Sequence, residues 1–309
     1  MAKNGSPKTS ASIGPRVRKL TKKQTKVKAK QSVAKKPLIG SFRLTWQAIN
    51  TIKKFWKTLL GIVAVYLLLN IVFASGLSGL SSGVDSVKQN LQGHSIGSAL
   101  GGLSLLIGSA GASGSSTGST LQAVLLIIES LVIIWAIRHL LAGRQISVKE
   151  AYYKSADPLV PFVLVIGVII LQLLPIILGG SILAAILSSA FVGSSAANVV
   201  FVVLFSALAA WSIYMVSSSI FGLYIVTLPD MQPRVALRSA KNLVRFRRWA
   251  IVRKVLFLPV FILAVMAVAM VPVILFAISL AAPVFYILSM LSILFVHTYL
   301  YSLYRELLA

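Results

Sequence analysis

The sequence predicts an all-α fold: a polytopic transmembrane helical bundle of about six spans, with amphipathic helices on its inner surface. Three observations carry this expectation. Hydrophobic residues make up 57% and charged residues only 12% of the 309 positions, and the mean hydropathy of +0.90 is far from that of a soluble domain. Apolar runs recur at the length of about 20 residues that a helix needs to cross a hydrocarbon core of about 30 Å. The connections between those runs alternate between rich and poor in Lys and Arg, as they do when short cytoplasmic loops retain cations.

Residues 1–40 read as a disordered, Lys-rich cytoplasmic tail. They are dominated by Lys, Ser, Thr, Ala and Gln, with too little apolar surface to offset the entropy of ordering. Sixteen of the thirty Lys and Arg fall between Lys3 and Lys57, where no Asp or Glu occurs. No apolar run begins near Met1, so the first hydrophobic segment is expected to stay as an anchor. The tail lacks aromatics between its cations, which favours lipid contact or solvation over nucleic acid. Residues 41–56 then show a helical period. Phe42, Trp46, Ile49, Ile52 and Trp56 share one face, with Arg43, Asn50, Lys54 and Lys57 towards the other, the pattern of a helix lying in the membrane interface.

The six spans expected are Trp56 to Leu77, Leu121 to Leu141, Leu159 to Leu178, Val199 to Leu228, Val255 to Ile278 and Ala281 to Leu303. The fourth is too long to cross upright. Residues 78–120 form a Gly/Ser-rich outer loop, in which Val84 to Leu91 has the period of a small helix. Ser181 to Val192 is apolar enough to suggest a further crossing, but that would export the richest basic loop, so it reads as a continuation or an interfacial segment. Even parity puts both termini and the loops Ala142 to Pro158 and Pro229 to Lys254 in the cytoplasm, at a bacterial inner membrane.

Within the second of those loops, "RSAKNLVRFRR" lies in a helix expected to start near Asp230 and Pro233. Arg234, Arg238, Lys241, Arg245 and Arg248 would form one stripe facing anionic phospholipid headgroups, each cation contributing about 1 kcal/mol. Ala236, Leu237, Ala240, Leu243 and Val244 would face the protein. In the first loop, Ser147 and Glu150 have capping-box spacing and should start a short helix, Val148 to Ser155, that ends before Asp157 and Pro158.

The chain also carries an internal repeat, 147–228 and 231–303. "KSADPLVPF" aligns with "RSAKNLVRF", and "PIILGGSILAA" with "PVILFAISLAA", in the same order and the same topological places, with one insertion. Each copy reads as a surface helix, an outward span with a proline late in its course and a return span; the first unit has the form of a worn third copy. The series "SVKEAYYKSADPLVP" and "LPDMQPRVALRSAKNLVRFRRW", followed by a Pro-interrupted span, resembles bacterial six-span proteins related to the membrane domain of membrane-bound glycerophosphodiester phosphodiesterases. The resemblance runs from about Ser41 to the C-terminus. In those enzymes a soluble catalytic barrel follows the membrane domain, whereas this sequence ends at Ala309. What it implies is a fold and a membrane location; no catalytic residue carries over.

Reactive constellations are missing from the sequence. Cysteine is absent, the six acidic residues form no pair, and His94, His139 and His297 lack ligand spacing, so neither metal nor cofactor is expected. Glu129 stands apart, because an acid near the middle of a span costs roughly 3 kcal/mol and needs a proton, a partner or a wet cavity. Asn70, Gln172 and His297 are its conceivable partners. The function expected is that of a non-catalytic membrane-organising or partner-binding scaffold. The alternative is a small transporter or permease subunit, with Pro175, Pro259, Pro272 and Pro283 breaking helices round a cavity and Glu129 coupling protons.

Overall fold

The computed structural model describes residues 39–74, 101–102, 106, 116–190 and 195–308. Among them the secondary structure is helical throughout, without a strand, and six helices are long and apolar enough to cross a membrane. The chain is therefore an all-α polytopic bundle. The tail before Ile39, most of the Gly/Ser-rich loop and its expected small helix lie outside the described residues.

Three similar units follow one another. In the first, a surface helix α1 (Ser41–Lys54) breaks at Phe55 and is followed by α2 (Trp56–Ala74) and α3 (Ser116–Leu141). The second consists of α4 (Val148–Ser155), α5 (Leu159–Ala190) and α6 (Ser195–Ser219), closed by the short α7 (Gly222–Val226). The third has α8 (Pro233–Val244), α9 (Arg248–Phe276), a single 3₁₀ turn (Ile278–Leu280) and α10 (Ala281–Leu308). Each unit is thus a short amphipathic helix before a hairpin of two long ones.

Each short helix is seated on the hairpin that precedes it. α4 packs on α2 and α3, and α8 packs on α5, α6 and α7. α1 has no hairpin before it and packs instead on α10, so the first unit closes against the last. The second and third units share the order of a surface helix and two long helices, with Pro175 near the middle of α5 and Pro272 near the end of α9. The long hairpin α5–α6 is the least buried part of the bundle. Gly179 and Gly180 let Phe205 and Leu208 of α6 press onto α5, where a Cβ would meet their rings and methyls at 3.0 Å.

Several boundaries differ from those expected. Ser116 to Thr120, assigned to the outer loop, already belong to α3. α5 continues through Ser181 to Ala190, which settles that segment as a continuation; its 32 residues make about 48 Å of helix, longer than a bilayer core. The fourth span runs from Val199 to Val226, close to the expected limits, with a turn at Ile220 and Phe221 dividing it into α6 and α7. α9 begins seven residues early, at Arg248, and takes Lys254 into the bundle. Polarity alone placed Arg248 to Lys254 in a loop, but Ile251, Lys254 and Leu258 recur on one buried face of the helix.

Seating is tightest for α4. Ser147 caps it, accepting from the Glu150 N–H at 3.2 Å, as the capping-box spacing requires. The preceding turn leaves α3 through Gly143, whose φ of 81° suits glycine. Val148 then lies over Gly61 so closely that an added Cβ would stand 2.8 Å from its Cγ2. Gly61→Val should therefore lift α4 off the α2–α3 hairpin, at a cost of about 1–3 kcal/mol. Thermal unfolding in detergent measures this, and a cysteine introduced at Lys149 should label faster in the variant.

Candidate functional site

One end of the bundle gathers the charge. The starts of α2, α5 and α9 and the ends of α3, α7 and α10 meet there, together with α1, α4 and α8. Among the described residues the opposite end carries no Lys, Arg, Asp or Glu. Three polar clusters between the helices and one open groove account for most of the predicted site residues.

The first cluster is built round Glu129, which is buried in α3. Its partner is Tyr152 of α4, whose hydroxyl lies 2.8 Å from Glu129 Oε2 and 3.1 Å from the Ile62 carbonyl of α2. One phenolic proton faces two acceptors. Both are served when Glu129 is the neutral acid, donating to the Tyr152 oxygen while Tyr152 donates to Ile62, which is also the form that apolar surroundings favour. Burial pushes the Tyr152 hydroxyl above the usual phenol range, so it remains a donor. Tyr66 and Asn70 continue the cluster along α2, side by side, and Glu129 Oε1 makes no hydrogen bond. On the outer side of α4, Glu150 accepts from Lys154 at 2.7 Å, which holds the Glu150 carboxyl below its ordinary range.

Of the partners considered for Glu129, only Asn70 lies in its neighbourhood, through Tyr66. His297 belongs to a second cluster, with its Nδ1 3.3 Å from the Tyr224 hydroxyl of α7. Tyr224 is fully buried against Tyr301 and Tyr304 of α10. Arg138, at the end of α3, fixes this cluster. Its Nη1 donates to the Thr227 carbonyl at 2.5 Å, and its Nη2 donates to the Tyr224 carbonyl at 2.7 Å and to Thr227 Oγ1 at 2.6 Å. These carbonyls end α7 and have no helical partner of their own, so a cation there satisfies both hydrogen bonding and the helix dipole.

The third cluster was not foreseen. Lys254 Nζ lies 3.7 Å from Glu306 Oε2, with the two side chains only 6% and 12% exposed. Lys254 Nζ also donates to the Ile39 carbonyl, Glu306 Oε1 accepts from the Ile39 N–H, and the Tyr299 hydroxyl donates to the Lys254 carbonyl. The chain entering α1 is thereby tied to α9 and α10. Its sequence signal was the rarity of acids, since Glu306 is one of six in the chain and falls on the Tyr299 face of α10.

Gln172 faces a different place altogether, a groove of about 1020 Å³ between α5, α6, α8 and the start of α9. Arg234, Arg238, Lys241 and Arg248 line it, and no Asp or Glu does. The predicted five-cation stripe is corrected here in two respects. α8 stops at Val244, so Arg248 arrives from α9, and Arg245 sits in the intervening turn, 5.6 Å from the Phe246 ring and outside the groove. The cap of α8 is Gln232 with Pro233 at the first position; Asp230 lies before it at φ 56°. Ala236, Ala240 and Val244 are buried, as the amphipathic pattern required.

The interfacial helix α1 buries Leu44, Thr45 and Ala48 against α10, while Phe42 and Trp46 of the apolar stripe are turned outward. Among the described residues no group of His, Asp and Glu is arranged to hold a metal. No known protein family, curated protein or solved structure matches the chain.

Two outcomes are expected from the buried clusters. Lys254→Met or Glu306→Leu alone leaves a buried charge unpaired and should cost about 3–5 kcal/mol, whereas the double variant should lose much less than the sum. Chemical unfolding in mixed micelles reads that cycle. Glu129→Gln, whose amide donates as the neutral acid does, should unfold within about 1 kcal/mol of the parent protein, while Glu129→Leu should lose about 1–3 kcal/mol. A Gln variant as damaged as the Leu variant would rule out the neutral acid.

Proposed function

We propose that the protein is a non-catalytic scaffold of the bacterial cytoplasmic membrane, with both termini in the cytoplasm, that organises anionic lipid or a partner along its basic inner surface. The observation that carries this reading is the collection of cations on one end of a six-span bundle, Arg144, Lys149, Lys154, Arg234, Arg238 and Arg253 among them. Retention of Lys and Arg by the cytoplasm orients that end inward, and the negative surface potential of the inner leaflet holds it there. The polar side chains packed between the helices support the same reading. Arg138, Lys254 and Glu306 each hold a chain end or a helix terminus in place, leaving Glu129 with Asn70 as the polar group that a transport reading would have to use. The resemblance to the membrane domains that accompany phosphodiesterase barrels agrees with a supporting rather than a reactive role.

Because the chain has no cysteine, single cysteines report topology without background. Cysteines at Ser239 and Leu308 should react with an impermeant reagent only after the membrane is opened, and labelling of either in intact cells would overturn the orientation. Proteoliposomes enclosing a pH dye provide the second measurement. The scaffold reading expects equal proton leak for the parent protein and Glu129→Gln. A flux lost in that variant would replace the scaffold with a transporter.

A further inference from the structure

The groove beneath α8 combines features that a diffuse basic surface does not need. Four cations converge on it from two helices, and no acid offsets them. Arg248 is held in place rather than free: its Nη1 donates to the Tyr214 hydroxyl at 2.6 Å, and its guanidinium carbon lies 5.0 Å from the centre of that ring. That leaves Arg248 Nε buried and without a partner, a fixed donor with nothing to donate to. Gln172 Oε1 is likewise buried without a donor. The groove is also amphipathic: beside the cations its lining includes Val168 of α5, Trp211 and Met215 of α6, and Val235 and Leu237 of α8. About 1020 Å³ is far more than one phosphate requires.

We propose that this groove is a site for a single anionic phospholipid with a hydroxyl-bearing headgroup, of the phosphatidylglycerol kind. Its phosphate lies among Arg238, Lys241 and Arg248, and the guanidinium Nε supplies a charge-assisted bond. A headgroup hydroxyl donates to Gln172 Oε1, and an acyl chain runs along Val168 and Trp211. Phosphate chemistry alone would also admit free phosphate or phosphatidate. The apolar wall argues for a lipid, and the unmet acceptor argues for a hydroxyl donor. The inference deepens the scaffold reading by naming a ligand for the basic surface, but its geometry does not depend on which side of the membrane that surface faces.

The experiment uses the full chain in phosphatidylcholine nanodiscs, in which both leaflets are accessible, with bound lipid read by native mass spectrometry. Phosphatidylglycerol, phosphatidate and inorganic phosphate are added in turn. One phosphatidylglycerol per chain should be retained against excess phosphatidylcholine. Arg238→Gln, Lys241→Gln and Arg248→Gln together should weaken retention by about a hundred-fold, the product of roughly five-fold per cation. Lys54→Gln with Lys57→Gln, in the separate cavity of about 660 Å³ beside the α1–α2 junction, should leave retention unchanged. Gln172→Leu should remove the preference over phosphatidate while keeping a bound lipid, and its thermal unfolding shows that the variant is folded. Equal losses from the two sets of cation variants would overturn the proposal in favour of a diffuse charged surface, and displacement of the lipid by inorganic phosphate would overturn it in favour of a phosphate site. Failure of topology labelling with lipid retention intact would sink the scaffold reading and leave the groove standing.

Discussion

Hydrocarbon supplies no hydrogen-bond partners, so each polar group carried below the surface has to be met by the chain itself. In this protein the helix ends concentrate that demand, because three hairpins bring six ends to the same side. The short helices serve both those ends and polar groups within the spans. α4 brings Tyr152 to Glu129 and to the Ile62 carbonyl, and the Gly40 carbonyl and Ile39 peptide at the entry to α1 meet Leu44, Lys254 and Glu306. Where no surface helix reaches, Arg138 takes the carbonyls that α7 leaves open.

This requirement explains the seating order. A hairpin with an uncovered end would expose helix termini and one apolar flank, so each short helix is spent on the hairpin already made, and α1 is spent on the last one. The result closes the first unit on the third and leaves α10 in contact with α1, α2, α3, α8 and α9. Its buried face is accordingly the most aromatic in the molecule, with Phe285, Tyr286, Tyr299, Tyr301 and Tyr304 all buried. The hairpin α5–α6 goes the opposite way: it contains the longest helix and is the least covered, so its outward residues are left to lipid.

What could be read from the sequence follows the same division. Spans, the capped helix α4 and the buried stripe Ala236, Ala240 and Val244 were legible because length, capping chemistry and period are local properties. Helix limits shifted where local polarity misled, as at Ser116 to Thr120 and at Arg248 to Lys254. The partners of Glu129 were not legible. Asn70, Gln172 and His297 were chosen because they lie in spans, yet the group that reaches Glu129 is Tyr152, from a segment whose composition says surface. Lys254 and Glu306 were hidden for the same reason. Each looked like a terminal charge, and only the fold brings the N-terminal strand of chain at Ile39 between them.

The groove shows how a covering helix can leave a site behind it. α8 is shorter than the hairpin end it covers, and its buried face is made of small residues, Ala236 and Ala240, that let it approach α7 and the inner turns of α5. Its long residues, Arg238 and Lys241, therefore bridge outward over α6, where no side chain of opposite charge is present among the lining residues. α4 solves the same geometry differently: its Lys154 is answered by Glu150 one turn away, and its half-buried Tyr152 is answered from within the hairpin. The two surface helices thus hold similar places with different electrostatics: on α4 Lys154 is paired with Glu150, whereas the cations of α8 that line the groove meet no acid there.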